Sequence, residues 1–286
     1  MELSLRGGNT FQKRHDQNQR ERSLSEATKT KAMRVLIWGI AGRLGAAVLE
    51  AVNKTENAIC VGGVDRTAVK NLGVPVFTRP EDISVAADVI IDFSAAECVQ
   101  KLIPYAVSAK LPVVICTTGH TQKHLSLIEQ ASSSIPVFKS ANVSMGVALL
   151  VELAKTAARA VGGKYDIEII EQHHNVKRDA PSGTALMLAE ALTGEINAPR
   201  ELTHGRYGRT AARKPSEIGI HAVRGGSVVG KHEIIFFGKD ESISIKHEAS
   251  SKMQFAEGAV TAAQFLVDKP PAVYGMIDLI GSVRTL

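Results

Sequence analysis

Residues 33–52, MRVLIWGIAGRLGAAVLEAV, read as a short apolar strand, a glycine-punctuated loop and a helix. Gly39 suits the tight turn that leaves the strand, Gly42 lets backbone approach a pyrophosphate, and Gly45 lets the helix pack closely on the strand. A second strand, Ala58–Val64, ends in Asp65, 20 residues beyond Gly45. That is where a doubly wound nucleotide-binding fold places the acid that holds an adenine ribose. The loop Gly39, Ile40, Ala41, Gly42, Arg43, Leu44 and Gly45 with Asp65 therefore predicts a dinucleotide site. Arg66 follows Asp65 and is open to more than one reading, a solvated strand-end arginine or a guanidinium that accepts a ribose 2′-phosphate or lies on the adenine.

The same alternation continues outward. Residues 88–93 read as a strand, 95–108 as a helix and 111–116 as a further strand, the pattern of a parallel sheet covered on both faces. Ligands bind such sheets at the carboxyl ends of the strands, which makes Asp92-Phe93-Ser94, Thr117-Thr118-Gly119 with the preceding Cys116, and Ser140-Ala141-Asn142 candidates to line a cofactor crevice. After Asn142 the texture changes. A helix is expected over 147–161, a strand from Tyr165 and a helix to about Thr193. Strand-like runs follow at 218–223, 228–237 and 243–247, divided by Gly225-Gly226 and Gly238-Lys239-Asp240 and read as antiparallel neighbours. The expected fold is α/β. A Rossmann-type parallel-sheet domain (33–143 and 254–286) carries an α+β domain with a mostly antiparallel open sheet (144–253). Val260, Ala263, Leu266 and Val267 form one helical face that returns to the first domain, and the open sheet is expected to be covered by self-association.

The chain has 286 residues, 44 % of them hydrophobic and 22 % charged, ordinary values for a globular protein. No apolar run reaches the roughly 18 residues of a membrane span, so no membrane partner is expected. The net charge of +5 is concentrated in residues 1–32, which hold seven Lys or Arg against four acids. This segment has no apolar core of a secretion signal and no aromatics to stack on bases, so it reads as a disordered extension with no nucleic-acid role. Cys60, Cys98 and Cys116 are odd in number and lack CxxC spacing, which suggests reduced thiols in a cytoplasmic protein. The nine histidines show no metal-ligand spacing.

Residues 171–185, EQHHNVKRDAPSGTA, are the densest polar stretch of the chain and connect a strand to a helix. Ser182 is the expected N-cap, leaving the amides around Gly183 and Thr184 as an anion site at the positive end of the helix. Lys177 and Arg178 add positive charge, and His173 and His174 can exchange protons near neutral pH. Adjacent residues on an extended segment point to opposite sides, which argues against the two histidines holding one metal ion. The combination predicts an acidic substrate that requires proton transfer.

The block HHNVKRDAPSGTA, with the GIAGRLG loop, Thr117-Thr118-Gly119, Ala141-Asn142, residues 220–226 and residues 255–259, resembles the 4-hydroxy-tetrahydrodipicolinate (dihydrodipicolinate) reductase family from about Met33 onward. The resemblance implies a cytoplasmic homotetramer that uses NADH or NADPH to reduce a small cyclic dicarboxylate, with loss of water, on the route to lysine. By position it implies His173 as general acid and Lys177 as its cationic partner. It also implies substrate contacts from His174, Lys177, Gly183 and Thr184, and cofactor contacts from Asp65, Arg66 and the glycine loop. Three residues depart from the common pattern: Cys116 stands for glycine, Leu44 for methionine, and Lys252 for an arginine, a change that removes bidentate contact at an expected cofactor position. Two rivals remain. Another two-domain NAD(P) oxidoreductase of an amino or oxo acid leaves the histidine block unexplained, and a nucleotide-sensing binding protein that works through its basic tail requires loss of function when residues 1–32 are deleted.

Overall fold

The computed structural model describes residues 31–69, 71–196, 200–209 and 212–283. The extension expected at residues 1–32 lies outside them apart from its last two positions.

Strand β1 (Met33–Trp38) leads into helix α1 (Arg43–Lys54), followed by β2 (Ala58–Val64), β3 (Val76–Phe77) and β4 (Val89–Asp92). Helix α2 (Val99–Ala109), β5 (Val113–Ile115), α3 (Gln122–Ala131) and β6 (Pro136–Lys139) complete the unit, with the short strand β12 (Ala272–Tyr274) added from the C-terminal part. These strands form one parallel seven-stranded sheet in the order β12-β6-β5-β4-β1-β2-β3. The apolar run of β1 does not alternate because both of its faces are covered. Val35 and Ile37 pack with α1 and α6 (Met253–Leu266), while Leu36 and Trp38 pack with residues of α2 and α3. Strand order reverses at β1, with β2 and β3 on one side and β4 to β6 on the other. The carboxyl ends of β1 and β4 therefore open a crevice, the usual ligand position of such sheets.

The second sheet has the order β11-β10-β7-β9-β8, formed by β7 (Asp166–His173), β8 (Glu201–His204), β9 (Glu217–Arg224), β10 (Gly230–Phe237) and β11 (Ser242–Ala249). One face packs on α4 (Met145–Val161) and α5 (Gly183–Glu195), where Ile167, Ile169, Ile218, Ile220, Ile234 and Phe236 are fully or almost fully buried. Each such side chain contributes roughly 1.5–3 kcal/mol by leaving water. Strands β10 and β11 form the expected hairpin, with a turn closed by Gly238 N–H donating to Glu241 O at 2.9 Å.

The expectation that β9 neighbours β10 needs correction. β7 lies between them, antiparallel to β10 and parallel to β9, and β8 adds a parallel edge strand that the polar texture of 199–215 had concealed. The Gly225-Gly226 turn crosses the end of β7 instead of closing a hairpin: Gly225 N–H donates to His173 O at 3.0 Å and Asn175 N–H to Gly226 O at 3.2 Å. Register keeps Ile218 and Ile220 beside Ile167 and Ile169 on the buried face, and that shared burial selects the parallel pairing.

Helix α6 returns to the first sheet as its apolar face predicts, with Val260, Ala263 and Leu266 buried against α1 and the strands. Helix α7 (Met276–Val283) follows β12. Among the described residues no helix is long and apolar enough to cross a membrane.

Candidate active site

Strand β7 runs three residues beyond its apolar core and ends at His173, so alternation puts Ile167, Ile169, Glu171 and His173 on the helix-facing side. Glu171 is fully buried. Its Oε2 lies 2.6 Å from His173 Nδ1, and Arg224 of β9 spans the carboxylate, with Nη1 2.8 Å from Oε2 and Nη2 2.7 Å from Oε1. Ser182 N–H donates to Oε1 at 3.0 Å. Burial alone pushes the Glu171 carboxyl up, but Arg224, His173 and the Ser182 amide together hold it below the usual carboxylate range. The carboxylate is therefore ionised and makes Nδ1 of His173 the nitrogen that carries a proton.

His232 of β10 packs edge-on against His173, with ring centroids 5.2 Å apart, and its Nε2 lies 3.1 Å from Ser182 Oγ. The same oxygen accepts from Ala185 N–H at 3.2 Å, which is the N-cap bond expected of Ser182. Burial pushes His232 down to about 4, so this ring is neutral at neutral pH. His173 is lowered too, by burial first, with Glu171 opposing and Lys177 and Arg224 adding to the shift.

Lys177 is half-buried and reaches Asp179 at 2.8 Å, while Arg224 Nη2 also donates to Asp179 O at 2.7 Å. His174 lies beyond the strand end, and its buried Nδ1 has no hydrogen-bond partner among the described residues. At the start of α5, Gly183 is exposed and Thr184 Oγ1 accepts from Asn142 Nδ2 at 3.2 Å. That bond ties the strand-to-helix loop to the carboxyl end of β6. Asn142 is itself held: its carbonyl accepts from Ser140 Oγ at 2.7 Å, and its Oδ1 accepts from Ser144 N–H at 2.9 Å.

At the crevice of the first sheet, Gly39 has φ +84° and its Cα faces the backbone of Phe93 and Ser94, where a Cβ would lie 2.8 Å from Phe93 O. A Cβ on Gly45 would lie 2.0 Å from Gly39 O, so only glycine permits this strand–loop–helix crossing. No side chain caps α1 and its first turn holds no acid, which leaves its positive end for an external anion. Asp65 Oδ2 accepts from Ala41 N–H at 2.9 Å and Oδ1 from Arg66 N–H at 2.8 Å. These residues line a cleft of about 550 Å³ that also meets Trp38, Phe93 and Lys101. Its glycine cradle, free helix end and acid at the second strand fit a dinucleotide.

Other candidates fall into different surroundings. Buried Asp92 is raised by desolvation and hydrogen-bonds the Ser94 hydroxyl and amide, while Thr117 Oγ1 donates to Ser94 O at 3.3 Å; together they brace the rim. Ser140 and Asn142 line a separate recess of about 210 Å³ between α4, α5 and α7. Ile40 and Cys116 pack into the core, so their side chains are not at the surface of the cleft. Thr118 and Ala141 are exposed, and Lys252, exposed at the start of α6, is absent from the lining of either cavity. Reading the sequence assigned no role to Glu171, Arg224 or His232. The i, i+2 spacing of Glu171 and His173 on a strand was the available signal for the first; the other two depend on pairing across strands.

Comparison with known proteins matches both parts of the chain to one family. The family model described as dihydrodipicolinate reductase, N-terminus, matches residues 33–143, and the one described as dihydrodipicolinate reductase, C-terminus, matches residues 146–280. The chain is 45 % identical over 248 residues to the 4-hydroxy-tetrahydrodipicolinate reductase of Caldanaerobacter subterraneus, covering 87 % of this chain and 98 % of that protein. It is 42 % identical over 250 residues to the enzyme of the same description from Clostridium tetani, with the same coverage of 87 % and 98 %. Among solved structures, dipicolinate-bound dihydrodipicolinate reductase from Paenisporosarcina sp. TG-14 superposes with a TM-score of 0.71 at 25 % identity, covering 86 % of this chain and 99 % of that one.

Proposed function

The chain belongs to the dihydrodipicolinate reductase family and is an NAD(P)H-dependent oxidoreductase that reduces 4-hydroxy-tetrahydrodipicolinate, and from that premise we propose that His173 is its general acid and Lys177 the cation that steadies the developing charge. The observation that carries this reading is the Asn142–Thr184 hydrogen bond, which sets the rim of the first sheet against the loop that bears both residues.

Bound nicotinamide supplies the hydride. Gly39 to Gly45 hold its pyrophosphate at the open end of α1, and Asp65 and Arg66 flank the adenosine end. Thr117, Thr118, Ser140, Ala141 and Asn142 border the nicotinamide end; Cys116 contributes through its backbone, and Lys252 stands at the approach to the cofactor. The substrate carboxylates sit on the amides of Gly183 and Thr184, with Lys177 and His174 beside them. Reduction of the unsaturated ring leaves negative charge on its nitrogen or enamine carbon, and a proton from His173 Nε2 quenches it. Residues 33–143 and 254–286 act as the dinucleotide-binding part, and 144–253 as the substrate-binding part.

The sheet face turned away from α4 and α5 carries half-exposed Val223 and Phe237. We read it as the surface through which four copies associate, in the cytoplasm, with the product passing on to lysine synthesis.

Substrate for the test is made by condensing aspartate semialdehyde with pyruvate, and oxidation of NADH and NADPH is followed separately by absorbance. His173→Gln and Lys177→Ala should each lower kcat by roughly 100-fold or more. Near-normal turnover in either variant refutes its assigned role.

A further inference from the structure

We propose that Arg224 and Glu171 form a pair that keeps His173 neutral, protonated on Nδ1 alone, in the empty site, so that the acid acquires its second proton, on Nε2, when the dicarboxylate binds; this rests on the reading of His173 as the acid.

A buried carboxylate hydrogen-bonded to Nδ1 normally favours the doubly protonated imidazolium by direct charge attraction. Here that attraction is shared. Arg224 takes both oxygens of Glu171 at 2.7 and 2.8 Å, and Ser182 N–H takes Oε1 as well at 3.0 Å. The carboxylate therefore remains available to orient the ring, while its charge is already balanced by the guanidinium.

The groups around the ring, element by element, leave no surplus negative charge for an imidazolium. β7 supplies Glu171 and β9 supplies Arg224. β10 supplies His232, which is neutral at neutral pH, and β11 places His247 opposite His232 with its own value lowered by burial. The loop after β7 supplies Lys177 paired with Asp179, and α5 presents its positive end, capped by Ser182. Two anions face two cations and a helix dipole, so one more positive charge is unfavourable. The lowered value of His173, caused by burial and then by Lys177 and Arg224 against Glu171, follows from the same arrangement.

A dicarboxylate alters this balance by placing two negative charges beside Lys177 and the start of α5. The second proton then has somewhere to go, because Glu171 holds Nδ1 and no described residue hydrogen-bonds Nε2. A Cβ on Gly230 would lie 3.1 Å from it, so a glycine is what keeps that side clear. The balance over one turnover is closed. Solvent gives one proton to Nε2 on binding, the substrate's hydroxyl leaves with a ring proton as water, the unsaturated ring so formed receives the His173 proton together with the hydride of the reduced cofactor, and His173 returns to its neutral form with Nδ1 still on Glu171.

The test is calorimetry on the full chain saturated with NADH, titrated with pyridine-2,6-dicarboxylate at pH 7 in buffers of different ionisation enthalpy. The wild type should take up close to one proton per site, about the count of a single group crossing from neutral to charged. His173→Gln should bind with that uptake lost. Arg224→Gln frees Glu171 for the imidazole, so the alkaline fall of kcat/KM should move up by about one pH unit or more and the proton uptake should shrink; Arg224→Lys, which keeps the charge without the two-point contact, should fall between. Tight binding by the wild type without proton uptake overturns the inference and leaves the site intact, as does undiminished uptake in His173→Gln. Absence of any binding by the wild type overturns the reading of the site itself. The wild-type and His173→Gln titrations decide the matter even if the Arg224 variants do not fold.

Discussion

Replacing His232 with glutamine should remove part of the protein's sensitivity to acid. The ring is 4 % exposed, and burial, with repulsion from His173 and partial compensation by Glu171, lowers it from 6.5 to about 4. In the unfolded chain it returns to the ordinary value. A histidine lowered on folding favours the native state only while neutral. Its contribution is thus fully present above pH 6.5 and is lost as the pH falls towards 4, the window in which the unfolded chain binds the extra proton. With one pKa unit worth 1.36 kcal/mol, the loss between pH 7.5 and 5 comes to about 2 kcal/mol, approaching about 3 kcal/mol below pH 4. His173 and His247 shift in the same direction, so the comparison must be of slopes rather than of absolute stabilities. The assay is urea unfolding of wild type and His232→Gln at pH 7.5, 6 and 5, at one protein concentration and ionic strength. Glutamine can still reach Ser182, so the variant should begin less stable but decline less. Equal losses for the two proteins between pH 7.5 and 5 would refute the reasoning.

Gly258→Ala should cost about 1–3 kcal/mol, because its Cβ would stand 1.8 Å from Val143 O and force α6 away from the segment that presents Asn142; thermal unfolding measures the loss, and an unchanged midpoint contradicts the packing. Asp65→Ala should raise KM for NADH several-fold, since it removes both the expected ribose ligand and the brace on Ala41 N–H at 2.9 Å. Arg66→Ala should weaken NADPH more than NADH if the guanidinium meets the 2′-phosphate, and equal effects on the two cofactors favour the solvated-arginine reading.

The sequence was most legible where a local rule determined the outcome. Gly39, Gly45 and Asp65 could be read because a crossing of strand and helix at this distance excludes a Cβ, and because the acid follows at a regular interval. Ser182 could be read as a cap because the helix formers after it begin abruptly. Arg224 was hidden for the opposite reason. It lies 53 residues from Glu171, and only the parallel insertion of β9 beside β7 joins them. The antiparallel reading of 218–237 followed from Gly225-Gly226, a good hairpin signal, but those glycines serve to pass the chain across His173. A local turn signal cannot distinguish a return to the adjacent strand from a crossing over its end.

The division of labour between the two sheets follows from what each edge can offer. The carboxyl ends of the parallel strands β1 and β4 present backbone amides and a helix terminus, suited to phosphate, but the buried acid there, Asp92, is occupied in hydrogen-bonding Ser94. They can hold a hydride donor and have little with which to move a proton. The end of β7 is the reverse: alternation delivers Glu171 and His173 to one face, and neighbouring strands add Arg224 and His232 from both sides. On the proposed roles, hydride and proton reach the substrate from different elements, and their separation depends on the segment from Ser140 to Ser144. That segment is fixed three ways, by its internal hydrogen bonds, by Thr184 across the cleft and by the close approach of Gly258 from α6. On the same roles, tightness at Gly258 bears on the chemistry: a small displacement of the Val143 backbone it packs against changes the distance between donor and acid without altering either one.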